Sequence, residues 1–88
     1  MSERAYVLIK AEKGQEPTAV TELGNRPELL SVDRVFGQYD IVALIEAEDI
    51  DGLIRIVGDD IAAADHVVRT ETLFITSGRK PKPKSLQT

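Results

Sequence analysis

Leu44-Ile45-Glu46-Ala47-Glu48 restates, with one substitution and at an offset of 36 positions, the stretch Leu8-Ile9-Lys10-Ala11-Glu12. The same offset places Val20 on Ile56 and Val32 on Val68, so the 88-residue chain contains two copies of one unit. Each copy opens on a strand. Ala5–Glu12 (AYVLIKAE) is dense in β-favouring residues and stops at Lys13-Gly14, where glycine permits a turn. Ile41–Ala47 is almost unbroken apolar. A helix follows each strand. Glu16–Asn25 has Pro17 in its first turn, Ala19, Val20 and Leu23 on one side, and Gly24, Asn25 and Pro27 to end it. The second helix starts at Asp49 as N-cap with Asp51 at the positive dipole end, and its stripe is Ile50, Leu53, Ile54, Val57 and Ile61. Gly52 and Gly58 weaken it by about 1 kcal/mol each relative to alanine. Val32–Phe36 and Val67–Thr76 complete the strands.

The order βαββαβ, with right-handed crossovers, forces both helices onto one face of a four-stranded antiparallel sheet, an α+β ferredoxin-like sandwich. Residues 1–76 form this domain, and residues 77–88 (SGRKPKPKSLQT) read as a flexible basic tail. Strand residues alternate between faces. With Val7, Ile9, Ala11, Ala43, Ile45 and Ala47 toward the helices, Tyr6, Leu8, Val42 and Leu44 point away from them. So apolar a face calls for cover, and the economical cover is the same face of a second copy.

Composition narrows the function. There is no cysteine, which removes disulfides, thiol catalysis and thiolate metal sites, and there is one histidine, His66. No apolar run approaches the roughly 20 residues of a membrane span, and a cytoplasmic protein is expected. The net charge of −4 is uneven: Arg79, Lys80, Lys82 and Lys84 are four of the 11 cations, so residues 1–78 hold seven against all 15 acids. An acidic body is a poor match for a phosphate backbone, and direct nucleic-acid binding is not expected. The uncovered sheet face also lacks the aromatic platform on which RNA bases stack, offering one tyrosine, aliphatics, Lys10 and Glu46. Asp59, Asp60, Asp65 and His66 come nearest to a metal set, but adjacent helical aspartates splay about 100° apart. The chain is read with no metal, no cofactor and no catalytic group.

Between the second and third strands stands Phe36-Gly37-Gln38-Tyr39-Asp40. Gly37 can take a positive φ and leave N–H groups free for a carboxylate, Asp40 can accept from an ammonium, and Tyr39 and Gln38 can wall the site or hydrogen-bond. Taken alone, the stretch fits an ordinary turn as well as a loop that meets both ends of a zwitterion.

The βαββαβ order, FGQYDIVALIEAE across the second and third strands, the helix opening at Asp49 and VVRTETLFI as the last strand together resemble the effector-binding domain of the Lrp/AsnC family, also called the regulation of amino acid metabolism domain, over residues 5 to 76. That resemblance implies a dimeric α/β barrel, dimers assembling into rings, and small effectors, usually amino acids, bound near this loop where dimers meet. It carries Gly37, Gln38, Tyr39 and Asp40 over as the ligand loop, with Thr70 and Thr72 as further candidates. Full-length members carry an N-terminal helix-turn-helix, and four residues precede Ala5 here. The expectation is a stand-alone effector domain that acts by co-assembly with full-length regulators. Ala64-Asp65-His66 stands where the family commonly has a Pro-Gly turn. The alternative function is a small dimeric α/β-barrel enzyme of monooxygenase type, and a third is an assembly module without a ligand.

Overall fold

A computed structural model of the chain describes residues 2–76. The basic tail expected over 77–88 lies outside the described residues. The elements are β1 (Glu3–Ala11), α1 (Glu16–Gly24), β2 (Leu29–Arg34), β3 (Ile41–Ala47), α2 (Ile50–Arg55, continued in π-helical geometry through Ile56–Ala62) and β4 (Val67–Phe74). All pairings are antiparallel, in the order β2-β3-β1-β4. The two repeat strands are therefore the central pair. Their register sets Tyr6 opposite Leu44, Val7 opposite Ala43 and Leu8 opposite Val42.

Alternation sorts these residues as expected. Ala5, Val7, Ile9, Ala11, Ile41, Ala43 and Ile45 are buried beneath the helices, against Ala19 and Leu23 of α1 and Leu53, Ile56 and Ile61 of α2. On the other face Leu8, Val42 and Leu44 are half-buried, while Tyr6 and Leu73 are each 46% exposed. The helix starts follow local chemistry. Asp49 accepts the Gly52 N–H at 2.8 Å, and Glu16 accepts the N–H of Gly14, whose φ of 86° makes the preceding turn.

Two elements differ from the sequence expectation. The second helix does not bury the single stripe expected of it: Leu53, Ile56 and Ile61 are buried, Val57 is half-buried, and Ile50 and Ile54 are exposed. The widened turns give the reason. One α-helical turn beyond Ile56 lies Asp60; i→i+5 geometry brings Ile61 to the core instead and frees Asp60 to meet Arg26 at 3.6 Å. β2 runs over Leu29–Arg34 and not Val32–Phe36. Leu29 enters the core opposite Ile45, across a bulge between Leu29 and Ser31, and Arg34 is already opposite Ile41, the first residue of β3. Past Arg34 the ladder gives way to a single further bond, from the Val35 N–H to the Asp40 carbonyl, and Phe36 stands wholly in solvent, 103% exposed.

The two glycines of the second helix have opposite surroundings. A Cβ on Gly52 would lie 2.9 Å from the Ala47 Cβ, whereas one on Gly58 would meet nothing within 4 Å. Gly58→Ala is expected to stabilise the domain by up to about 1 kcal/mol through helix propensity. Gly52→Ala should lose that gain to overpacking worth about 1–3 kcal/mol. Urea unfolding of the two variants should give shifts of opposite sign, and a stabilised Gly52→Ala would refute the close approach.

Candidate functional site

The loop from Val35 to Asp40 is held by its last residue. The Asp40 N–H donates to the Ile9 carbonyl and the Asp40 carbonyl accepts the Val35 N–H, both at 2.9 Å. Its carboxylate reaches further. Between Lys10 and Ala11 the register of β1 with β4 shifts, and the Ala11 N–H turns to Asp40 Oδ2 at 2.9 Å. Successive N–H groups of a strand point to opposite sides, so that of Ala11 points toward β3, beyond the last pair of that ladder, Ile9 with Ile41, and Asp40 supplies its acceptor. The Lys10 Nζ lies 3.8 Å from the same oxygen. Gly37, at φ 128°, takes the backbone conformation that side chains disfavour, so the glycine in this loop is a conformational requirement.

Tyr39 ties the loop to the far side of the sheet. Its hydroxyl donates to Glu71 Oε1 at 2.8 Å, and the Arg69 guanidinium sits 5.4 Å from its ring centroid. Glu71 is opposite Leu8 and Arg69 opposite Lys10, so both belong to the face turned away from the helices. The loop thus spans from β3 past the end of β1 to β4.

The neighbouring N–H, that of Glu12, donates to the His66 carbonyl at 2.8 Å. His66 holds a φ of 71°, the left-handed region that a glycine would occupy without strain. Its Nδ1 is 2.8 Å from Glu12 Oε1. This hydrogen bond is the largest cause raising the His66 pKa above 6.5; the charges of Glu12, Glu22 and Asp65 add to it, and partial desolvation opposes it.

Beside these contacts opens a groove of about 520 Å³ lined by Lys10, Ala11, Glu12, Lys13, Glu16, Asp40 and Val68. It carries both signs of charge around a small apolar surface. Of the candidate residues, the structure brings Tyr39 and Asp40 together with Lys10, Arg69 and Glu71; Gly37 and Gln38 stand exposed at the tip. Thr70 and Thr72 are not with them. They lie opposite Ile9 and Val7 on the helix-covered face, Thr72 beside an apolar groove with Ile54, Val57, Gly58 and Phe74. Sequence reasoning passed over Lys10, Arg69 and Glu71, although strict alternation in Val68-Arg69-Thr70-Glu71-Thr72 sets Arg69 and Glu71 on the opposite face from the threonines. Among the described residues no group of three or more His, Cys, Asp or Glu is placed to hold a metal ion.

The sequence pattern of the Lrp/AsnC ligand binding domain matches residues 4–85. The chain belongs to this family. Among its relatives are the uncharacterized HTH-type transcriptional regulators PH0140 of Pyrococcus horikoshii, 30% identical over 76 residues, and PYRAB01370 of Pyrococcus abyssi, 32% identical over 76 residues. Each match takes in 86% of this chain and 48% of the relative, so the chain spans about half the length of these curated relatives. Solved structures agree on the fold. TTHA0845 from Thermus thermophilus superposes with a TM-score of 0.82 at 29% identity, over 90% of this chain and 99% of that one. Escherichia coli AsnC gives 0.80 at 21% identity, over 93% and 56%. The transcriptional regulator NMB0573 of Neisseria meningitidis, in complex with L-Met, gives 0.76 at 16% identity, over 98% and 59%.

The His66–Glu12 contact predicts a pH dependence within this Lrp/AsnC domain. A histidine whose pKa is higher in the folded state adds stability that is fully present below the unfolded value near 6.5. That stability is lost as pH rises through the higher folded pKa. Melting temperature should therefore fall over the pH interval just above 6.5, and both His66→Gln and Glu12→Gln should flatten that fall. An unchanged slope in both variants would show that the contact does not bear on stability.

Proposed function

We propose that this domain binds a small amino acid at the Gly37–Asp40 loop and couples that binding to assembly of the protein, modulating transcription through co-assembly with full-length regulators of its family and without catalysis. The observation that carries the reading is the loop itself: a positive-φ glycine followed by an aspartate and a tyrosine, each anchored to a different strand, beside a groove lined by both signs of charge. Asp40 is the partner for the ligand's ammonium through its second carboxylate oxygen, and Gln38 and Tyr39 are the walls. The L-Met complex of the Neisseria regulator, a relative in fold, supports an amino acid as the class of ligand. Thr70 and Thr72 enter the proposed site only as the contribution of a neighbouring copy, since in their own chain they lie on the other face.

Dimerisation through Tyr6, Leu8, Val42 and Leu44 belongs to the same proposal, closing two sheets into an α/β barrel, with rings of dimers bringing neighbouring loops together. A shallow turn buries little of a ligand, and small-molecule sites enclose most of the ligand's surface. The formal charge of −8 over residues 1–78 favours a role that leaves DNA contact to a partner, in the cytoplasm.

Two experiments bear on this. Leu8→Asp and Leu44→Asp each place a charge at the centre of the proposed contact, a penalty of about 3–5 kcal/mol if it stays buried and unpaired. Light scattering should find the parent at least dimeric and both variants shifted toward the 9.7 kDa monomer. A monomeric parent at micromolar concentration would end the barrel proposal. Asp40→Asn retains an acceptor for the Ala11 N–H while removing the charge. It should fold normally and lose about 1.5–3 kcal/mol of amino-acid affinity, on the order of tenfold to a hundredfold. Calorimetry against the twenty amino acids is the measurement, and silence from all of them with the parent protein would return the loop to the status of a turn.

A further inference from the structure

Lys10 and Arg69 are opposed across β1 and β4, and both project to the face away from the helices. Like charges directly opposite each other on adjacent strands repel. Sheets ordinarily avoid the arrangement, and here it is only half relieved. Lys10 shares its charge with Asp40 at 3.8 Å. Arg69 makes no salt bridge among the described residues; it rests on the Tyr39 ring, and Glu71, the acid two residues along on the same face, is engaged by the Tyr39 hydroxyl. Arg69 is exposed, with its guanidinium carbon 5.4 Å from the centre of a ring that Glu71 holds in place.

We propose that Arg69 and Lys10 form a carboxylate-binding subsite at the end of the sheet, with Tyr39 as the positioning residue that orients the guanidinium. The assignment rests on the effector reading of the adjoining loop and names the part of the ligand that decides selection. A carboxylate between the two cations turns their repulsion into attraction, and the planar fork of Arg69 can meet it with two parallel hydrogen bonds. Selection falls mainly on this end because the other is poorly provided: one oxygen of Asp40 is already bonded to the Ala11 N–H and faces Lys10. The surrounding charges narrow the class further. Glu12, Glu16 and Asp40 line the groove with Lys10 and Lys13, and Arg69 and Glu71 lie on the adjoining strand, so the vicinity is slightly acidic, which disfavours phosphate esters and polyanions and leaves a single carboxylate to be held by direct pairing with the two cations. Small monocarboxylates should thus bind with or without an amino group, whereas amides of the same molecules should be rejected, since they leave the cations without a charged partner.

The test uses minimal probes on the full chain. Acetate, acetamide and methylammonium are titrated at constant ionic strength against chloride, following the Arg69 side-chain N–H and the Tyr39 ring by NMR. Acetate should move both sets of signals saturably, acetamide and methylammonium should not, and Arg69→Gln should weaken acetate binding by roughly tenfold or more. Arg69→Lys should recover part of the loss, which a merely structural role for Arg69 would not give. An acetate response no greater than that of chloride, an equal response to acetamide, or undiminished acetate binding by Arg69→Gln overturns the subsite. Failure here is separable from failure of the effector reading. Amino-acid heats without an acetate response leave the loop as an effector site and remove the anchor; an Arg69-dependent acetate response without amino-acid heats keeps the anchor and removes the effector.

Discussion

The pairing of β1 with β3 is the constraint from which the other features follow. The two repeat strands lie side by side in a register that opposes Leu8 to Val42 and Tyr6 to Leu44, and alternation then leaves no choice about the rest. One face takes Ala5, Val7, Ile9, Ala43 and Ile45 beneath the helices, where all are buried. The other keeps a half-buried apolar centre that no third layer covers among the described residues. A slip of one residue would exchange the two faces and expose the helix-bound set. The same register that builds the core therefore also builds the surface proposed for self-association, and neither can be altered without the other.

Where that pairing ends, the chain gathers its polar contacts. Two successive backbone donors at the end of β1 find their partners outside the strand ladders. Asp40 takes the first through its side chain, and His66 takes the second through its carbonyl. One comes from the loop before β3 and the other from the turn before β4, so the end of the central strand ties down two connections at once. Tyr39 adds a third tie by reaching Glu71. The loop is anchored at its base and side, while Phe36, Gly37 and Gln38 stand out in solvent, an arrangement suited to meeting another molecule.

The sequence carried the architecture because the signals that set it are periodic. Alternation in the two repeat strands, the Asp49 cap and the 36-residue echo each depend on neighbours a few positions away. The failures share a different cause. The π-helical turns arise because Asp60, and not Ile61, follows Ile56 by one α-helical turn, and only the packed core decides that the backbone widens to correct the phase. β2 shifts toward its N-terminus because Leu29 finds a place opposite Ile45. In the proposed site, the positive φ of Gly37 and the acceptor role of Asp40 could be anticipated from the sequence, because both depend on local conformation and charge. The contacts of Arg69, Glu71 and Lys10 could not be, since they meet the loop only through strand register, and the same register sets Thr70 and Thr72 on the other face within their own chain.

Asp40 joins the two proposals because it cannot serve a ligand independently of the fold. Its Oδ2 holds the Ala11 N–H at the end of β1, so any group that draws on the carboxylate acts on that bond, beside the point where the register of β1 with β4 shifts. β4 is an edge strand, with one side unpaired among the described residues. Its position bears on both the uncovered face, through Leu73, and the groove of Ile54, Val57 and Phe74. A ligand shifts an equilibrium only by the difference in its affinity for the two states. For an effector held by Asp40 on one side and by Arg69 on the other, that difference would arise at the β1–β4 junction, since those two residues sit on opposite sides of it and their separation depends on how β4 lies against β1. Coupling between occupancy and assembly would then need no long path through the core, because the binding groups and the movable edge of the sheet are the same structure.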